Sequence, residues 1–425
     1  MKLKVEGSTL RGAVSIPGSK SHTIRAVAIA ALAEGESLIE EPLESEDARS
    51  AFHAYTALGA RISEEKNRWR VQGIGGRPQI PENVIDTANS GTTMRFSLGS
   101  AALLQGGLAV LTGDAQVRRR PCGPLAQSLT DLGAKVRATR GGSYPPFVVE
   151  GTLRGGKTTI EGITSQYISS LLLNTPLAEG NTAIHVPLLN ERPYVQMTLD
   201  WLKRQGVRVD YAEDLSEYRV HGGQSYAPVQ CRIPGDFSSA TFFLAAGALS
   251  DNEVLCTGLD LNDTQGDKAV LDYLRQMGAR ITIEKDGIRV QAEALTGCEI
   301  DMNATPDALP MMATIACFAR GETRLANVPQ ARLKETDRIA VMRTELEKLG
   351  ARITELPDGL VIEESALHAG MLEGHGDHRV VMALAIAGTM LPGVTTINGY
   401  EAASVTFPTF LDALSGLGGK ARIAE

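Results

Sequence analysis

The sequence predicts an α/β protein of two similar domains. Each is built from three strand–helix–strand–helix–hairpin units around shared buried helices. Three observations carry this prediction: a chain of 425 residues, a sixfold internal repeat, and Ala-rich helices that open on small polar residues. A chain of that length exceeds what one hydrophobic core organises, so two domains are expected.

The repeat is a short phrase: Leu or a similar residue, Gly, a small residue, a basic residue, then Val or Ile. It occurs as Leu58-Gly59-Ala60-Arg61-Ile62, Leu132-Gly133-Ala134-Lys135-Val136, Gln205-Gly206-Val207-Arg208-Val209, Met277-Gly278-Ala279-Arg280-Ile281 and Leu349-Gly350-Ala351-Arg352-Ile353. A degraded sixth copy reads Leu417-Gly418-Gly419-Lys420-Ala421. The period is about 72 residues, too regular for chance. The Gly reads as the left-handed residue that closes a helix, and the apolar residues after it begin a strand. Hairpins follow: Ile281–Glu284 and Ile288–Val290 flank Lys285-Asp286-Gly287, and Asp358-Gly359 marks the next one.

Each unit also predicts an earlier helix that is Ala-rich, slim and therefore buried. Ile16-Pro17-Gly18-Ser19-Lys20-Ser21 leads into Ala26–Ala33, and Ile233-Pro234-Gly235-Asp236-Phe237-Ser238-Ser239 leads into Ala240–Leu249. These openings lie about three units apart, so the six units divide into two groups of three, with boundaries at 16–232 and 233–425. A solenoid is disfavoured, because no unit has the polar outer face of a terminal cap.

Composition narrows the function. Net charge is −8, with 43% hydrophobic and 22% charged residues, as in soluble globular proteins. That balance disfavours nucleic acid as a partner, and an anionic substrate has to be drawn in by a local cationic cleft. The five cysteines, Cys122, Cys231, Cys256, Cys298 and Cys317, are odd in number and scattered. This argues against a disulfide framework and a cysteine zinc site. No HExxH or paired His at ligand spacing occurs, so no metal is expected. The N-terminus alternates like a strand and does not read as a signal peptide. No apolar run reaches membrane-spanning length. A reducing, cytoplasmic location is expected, with no membrane partner.

A helix N-terminus attracts anions, so charged departures among the unit openings are informative. Lys20, in Pro17-Gly18-Ser19-Lys20-Ser21-His22-Thr23-Ile24-Arg25, is a cation at a helix start, which makes sense if an anion binds there, the plain alternative being a capped helix with two exposed basic residues; Arg25 is expected beside its face. Asp86-Thr87-Ala88-Asn89-Ser90-Gly91-Thr92-Thr93-Met94-Arg95 enters a helix through Gly91, which permits close approach of a ligand but is equally a plain cap. Arg118-Arg119-Arg120-Pro121 is a basic loop whose Arg120 is held extended by the following proline. Thr164-Ser165-Gln166-Tyr167 and Glu191-Arg192-Pro193-Tyr194 open two more helices. Thr305-Pro306-Asp307-Ala308 places a carboxylate where a normal cap stands. In Arg332-Leu333-Lys334-Glu335-Thr336-Asp337-Arg338, Lys334 and Arg338 share a helix face, where an anion relieves their repulsion; local pairs Lys334–Asp337 and Glu335–Arg338 satisfy the pattern equally. Gly376-Asp377-His378-Arg379 heads another Ala-rich helix. The cations, with Asp307 and Glu335 among them, suit one cleft for substrates rich in phosphate and carboxylate.

In this order and spacing, PGSKS…R, NSGTTMR, RRP, TSQY, RPY, PDA, LKETDR and GDHR resemble the EPSP synthase family of enolpyruvyl transferases over essentially the whole chain. The resemblance implies two domains of three βαβαββ units joined by crossing strands. It places residues 1–15 with 233–425, against 16–232, and the active site in the cleft between the domains. It implies phosphoenolpyruvate binding by Lys20, Gly91, Arg120, Gln166, Arg338 and Arg379. It implies shikimate 3-phosphate binding by Lys20, Ser21, Arg25, Thr164, Ser165, Gln166, Arg192, Asp307 and Lys334, with Tyr194 as an addition. Asp307 and Glu335 fall on the two active-site acids. No cofactor, metal, nucleic acid or membrane is implied, and a monomer is expected.

The implied reaction is addition followed by elimination. Asp307 serves the attacking hydroxyl, Glu335 the methylene, and Lys20 the departing phosphate, although the sequence leaves open which acid does which. Glyphosate is the family's inhibitor at the phosphoenolpyruvate subsite, where Gly91 leaves room for it. Some positions depart from the pattern. Glu191 stands where a phosphate-binding Ser is frequent and is assigned no contact, Val405 replaces a frequent Lys, and Phe96 replaces a common Pro. Two alternatives are UDP-N-acetylglucosamine enolpyruvyl transferase, whose pattern has Lys-Asn near the start and a loop Cys acid, and a non-enzymatic binder of phosphorylated metabolites. Here Lys20 precedes Ser21, and Cys122 follows Arg120-Pro121.

Overall fold

A computed structural model describes residues 1–424. They form six four-stranded sheets of one pattern. In the fifth, Glu299–Asp301 runs parallel to Glu322–Ala326, which pairs antiparallel with Gly359–Glu363, itself the partner of Arg352–Leu356. With a helix after each of the first two strands, the unit is βαβαββ.

All six repeat glycines have positive φ, from Gly206 at 69° to Gly133 at 110°. They end helices as the phrase requires, since a Cβ is disfavoured there. The hairpin registers Glu284↔Gly287 and Leu356↔Gly359 leave two-residue turns, the tightest connection for antiparallel strands.

The chain divides into two compact units, Lys20–Ile233 and Met1–Ser19 with Pro234–Glu425. Two strands explain the discontinuity. Arg11–Ser15 precedes the Lys20–Leu32 helix in sequence but pairs in parallel with Glu253–Thr257. Gln230–Arg232 pairs with Glu36–Glu40. The first segment reaches Ser19, further than residue 15, because Ile16 N bonds Thr257 O at 3.1 Å and Ser19 N bonds Pro234 O at 2.8 Å. The degraded sixth phrase also finds its reason. Lys420–Ala424 has no following strand, and Lys2–Glu6 pairs with both it and Val394–Asn398 to complete the sheet.

The slim helices are the interior. Phe237–Gly247 and His378–Thr389 are buried at every residue, and Lys20–Leu32 from His22 onward. Each large apolar side chain so buried contributes about 1.5–3 kcal/mol. Burial at every position leaves the helix openings as the places where these elements present polar groups. Among the described residues no helix is long and apolar enough to cross a membrane, and no group of three or more His, Cys, Asp or Glu could hold a metal ion.

Candidate active site

In the Lys20–Ile233 unit the candidates gather at four helix openings. Lys20 begins its helix and forms an ion pair with Asp47, Nζ to Oδ2 3.0 Å. The anion that makes a cation tolerable there is thus partly supplied by the protein. Arg25 does not share Lys20's face, since five residues of helix turn it well away. It is buried, and donates to Thr198 Oγ1 (2.9 Å), Ser21 O (3.0 Å), Tyr194 O (2.9 Å) and Ser169 Oγ (3.3 Å). Its guanidinium also lies 5.4 Å from the centroid of the Phe96 ring, a cation–π contact. None of these partners is a carboxylate. Burial accordingly pushes Arg25 down to about 10, against a slight opposing effect of Tyr194. A buried cation with neutral partners is poised for an anion.

Ser90 caps the Gly91–Ala101 helix by accepting from Thr93 N. A Cβ placed on Gly91 would lie 2.5 Å from Arg120 Nη1 and 2.6 Å from Arg95 Nη1, so Gly91 is where two guanidinium groups press on backbone. Arg95 donates to Gly91 O (2.9 Å) and Pro121 O (2.8 Å). Arg120 is extended, as its proline requires, and only 8% exposed. Thr164 caps the Ser165–Asn174 helix, and Gln166 Oε1 is buried with no hydrogen-bond partner among the described residues. Glu191, left without a contact by sequence reasoning, accepts at Oε2 from Ser165 N (3.0 Å), Ser165 Oγ (2.7 Å) and Thr164 Oγ1 (3.2 Å). Arg192 opens its own helix and is exposed.

In the other unit Asp307, Lys334, Glu335, Arg338 and Arg379 form one cluster around a buried guanidinium. Arg338 is 1% exposed. Its Nη1 donates to Asp307 Oδ1 (2.7 Å), its Nη2 to Glu335 Oε2 (2.7 Å) and Asp377 Oδ1 (3.2 Å), and its Nε to Asp377 Oδ2 (2.8 Å). Four of its N–H groups thus go to carboxylates, of the five an arginine has. Burial opposes the charge, but Asp377, Glu335 and Asp307 outweigh it and hold Arg338 above the ordinary arginine value. Asp307 also reaches Arg379 Nη2 at 3.0 Å and Lys334 Nζ at 3.9 Å.

Two sequence expectations are corrected here. Asp307 is not a helix cap: neither the Pro306–Ala308 turn nor the Leu309–Ala316 helix has a side-chain cap bond, and three cations take its carboxylate instead. Lys334 and Arg338 do not share a helix face, because the helix begins only at Arg338, with Asp337 as N-cap accepting from Ala340 N at 3.1 Å. Of the two local pairs, Glu335–Arg338 forms. Asp337 pairs with Arg332 at 2.7 Å, and Lys334 reaches Asp307. Sequence reasoning gave no role to Asp377, which caps the His378–Thr389 helix through Arg379 N (2.9 Å) while holding Arg338, nor to Asp47. Asp377 carried a legible signal, an N-cap residue before a helical pattern. Asp47, an ordinary first-turn acid, carried none.

The sequence model of EPSP synthase (3-phosphoshikimate 1-carboxyvinyltransferase) matches residues 5–414. Curated proteins named 3-phosphoshikimate 1-carboxyvinyltransferase include one from Ruminiclostridium cellulolyticum, 52% identical over 420 residues, covering 99% of each chain. Another, from Acetivibrio thermocellus, is 53% identical over 418 residues, covering 98% of each. The solved EPSP synthase of Acinetobacter baumannii superposes with a TM-score of 0.85 at 27% identity over all of both chains. The enolpyruvyl transferase NikO of Streptomyces tendae, at 21% identity and a TM-score of 0.79, shares the fold. With the six βαβαββ units and the clustered acids and cations, these matches establish that the chain belongs to the EPSP synthase family of transferases.

Proposed function

We propose that this chain transfers the enolpyruvyl group of phosphoenolpyruvate to the 5-hydroxyl of shikimate 3-phosphate and releases phosphate. The observation that carries this reading is Asp307, a carboxylate at a helix start that forgoes capping to bridge Arg338 and Arg379. It thereby sets an acid among the cations that an anionic donor needs.

The reaction adds the acceptor hydroxyl oxygen to C2 of phosphoenolpyruvate while C3 gains a proton. It then eliminates phosphate, which leaves with the C2–O bonding pair, as C3 returns a proton. Asp307 takes the hydroxyl proton, and Glu335 gives and retakes the proton at C3, each a general acid–base role. Arg120, Arg338 and Arg379 bind the donor's phosphate and carboxylate, and Lys20 assists the departing phosphate. Arg25, Thr164, Ser165 and Gln166 hold the acceptor. Gln166 Oε1, buried and without a hydrogen-bond partner among the described residues, suits a ligand hydroxyl. The chain acts on free metabolites, as a monomer in the cytoplasm.

The UDP-N-acetylglucosamine alternative requires a loop cysteine as an accessible acid. Cys122 is fully buried, and burial pushes its thiol up against the opposing fields of Arg95 and Arg120. The test is phosphate release from phosphoenolpyruvate with shikimate 3-phosphate or UDP-N-acetylglucosamine as acceptor. Release with the first alone is expected. Release with the second alone, or binding without turnover, overturns the reading.

A further inference from the structure

We propose that Glu191 is a built-in competitor for the acceptor's phosphate: its carboxylate occupies the anion cradle at the start of the Ser165–Asn174 helix and has to leave when substrate binds. The inference rests on the proposed function, which gives Thr164 and Ser165 to shikimate 3-phosphate.

Glu191 is 1% exposed, and its carboxylate sits on the three donors a small anion would use: one helix-start N–H and two hydroxyls. Such a position favours negative charge through the free N–H groups and the helix dipole. The backbone reinforces the placement. Glu191 has φ 56° and ψ 41°, the left-handed region, and is the N-cap of Arg192–Arg204 without capping that helix by its side chain. A non-glycine residue in this region is uncommon, and strain of this kind gathers at functional sites. The strained residue therefore serves the neighbouring helix and not its own.

Two anions cannot share one set of donors, so the substrate's phosphate has to displace the carboxylate. The same occupancy disfavours weakly held anions such as inorganic phosphate, which bring no other contacts to offset the displacement. Glu191 thus lowers acceptor affinity and screens the cradle against small anions. Arg25, buried with no carboxylate partner among the described residues, remains available as the substrate's own cation.

The test is calorimetric titration of full-length wild type, Glu191→Gln and Glu191→Ser with shikimate 3-phosphate, and separately with inorganic phosphate, at fixed ionic strength. Both variants should bind shikimate 3-phosphate about tenfold more tightly, a change of about 1.4 kcal/mol. Their KM for phosphoenolpyruvate should stay within about twofold of wild type, and inorganic phosphate should become a detectable ligand. Unchanged or weaker binding by both variants overturns the inference and makes Glu191 a support of the cradle. If wild type binds no shikimate 3-phosphate, the proposed function itself fails. Should the variants not fold, a crystal structure of wild type with shikimate 3-phosphate decides. Glu191 Oε2 beyond hydrogen-bonding distance of Ser165 N supports displacement, and Oε2 still bonded there refutes it.

Discussion

Asp377 is the residue whose removal most directly tests the buried cluster. Its side chain is fully buried; it holds Arg338 Nε and Nη2 at 2.8 and 3.2 Å, accepts from Thr336 Oγ1 at 3.2 Å, and caps a helix through Arg379 N. Asp377→Asn keeps the volume and the capping ability, since Asn caps about as well as Asp. What it removes is a charge, and one edge of the clamp becomes a donor facing the donors of Arg338. Breaking a buried ion pair typically costs 3–5 kcal/mol when the survivor is left uncompensated. Arg338 keeps Glu335 and Asp307 at 2.7 Å each, so the expected loss is smaller, about 2–3 kcal/mol. For a domain of about 150–250 residues each kcal/mol shifts the midpoint by about 2–4 °C, giving a fall of about 4–12 °C in one transition of a calorimetric scan. The guanidinium, released from Asp377, should swing toward Asp307 and Glu335 and lower kcat/KM for phosphoenolpyruvate about tenfold or more. A midpoint within about 1 °C of wild type, with donor kinetics within twofold, would refute the view that Asp377 positions Arg338.

Asp307→Asn and Glu335→Gln should each lose about 10²–10⁴-fold in kcat while still binding shikimate 3-phosphate by calorimetry; retained turnover in either strikes that residue from proton transfer. Gly91→Ala should raise the KM for phosphoenolpyruvate as well as the inhibition constant of glyphosate, because the new methyl meets Arg120 and Arg95 at 2.5 and 2.6 Å before any ligand. Steady-state kinetics with an unchanged KM would show that the guanidinium groups yield without cost. Glu345 is fully buried, and although burial opposes its charge, hydrogen bonds from Lys348, Glu373 N and His375 hold its carboxyl below its ordinary 4.5. A depressed carboxyl contributes stability above that pH and loses it as pH falls through the folded value. Glu345→Gln should therefore lower the urea midpoint at pH 7 (from about 7 down to 4.5 the wild type keeps this term) and flatten its decline below about pH 4.5. An equal acid decline in both proteins contradicts the assignment.

The repeat was legible because its glycines answer a local demand. A helix that ends in a left-handed turn selects Gly whatever surrounds it, and all six have positive φ. The slim helices were legible for a similar reason, since a run of Ala, Ser and Gly has little to do but pack closely. The register that closes the sixth sheet was not legible, because Lys2–Glu6 meets Lys420–Ala424 across nearly the whole chain. The acids and cations were visible as residues, but their partners were not. Lys334 and Arg338 read as a repelling pair only while the helix was taken to include both. Asp337 as N-cap places Lys334 outside it, and Asp307 then lies within reach.

The helix openings show why partnership decides function in this architecture. Asp236 and Asp377 are both buried N-cap residues at the heads of slim helices in the same unit. Asp236 Oδ2 accepts from Ser239 Oγ at 2.7 Å, three residues along its own helix. Asp377 holds Arg338, which begins the preceding long helix and belongs to the preceding repeat. Asp377 also caps its own helix, whereas Asp236 makes no side-chain cap bond, but the larger difference lies in partnership. The difference is made by the adjoining repeat, which in one case supplies an arginine at its own opening. Glu191 does this within a single repeat, since it leaves its own helix and serves the opening of the other helix of the same βαβαββ unit. Buried charges in this fold thus pair where one helix opening meets another, within a repeat or between two, and a lone sequence shows the charges while concealing the pairs they form.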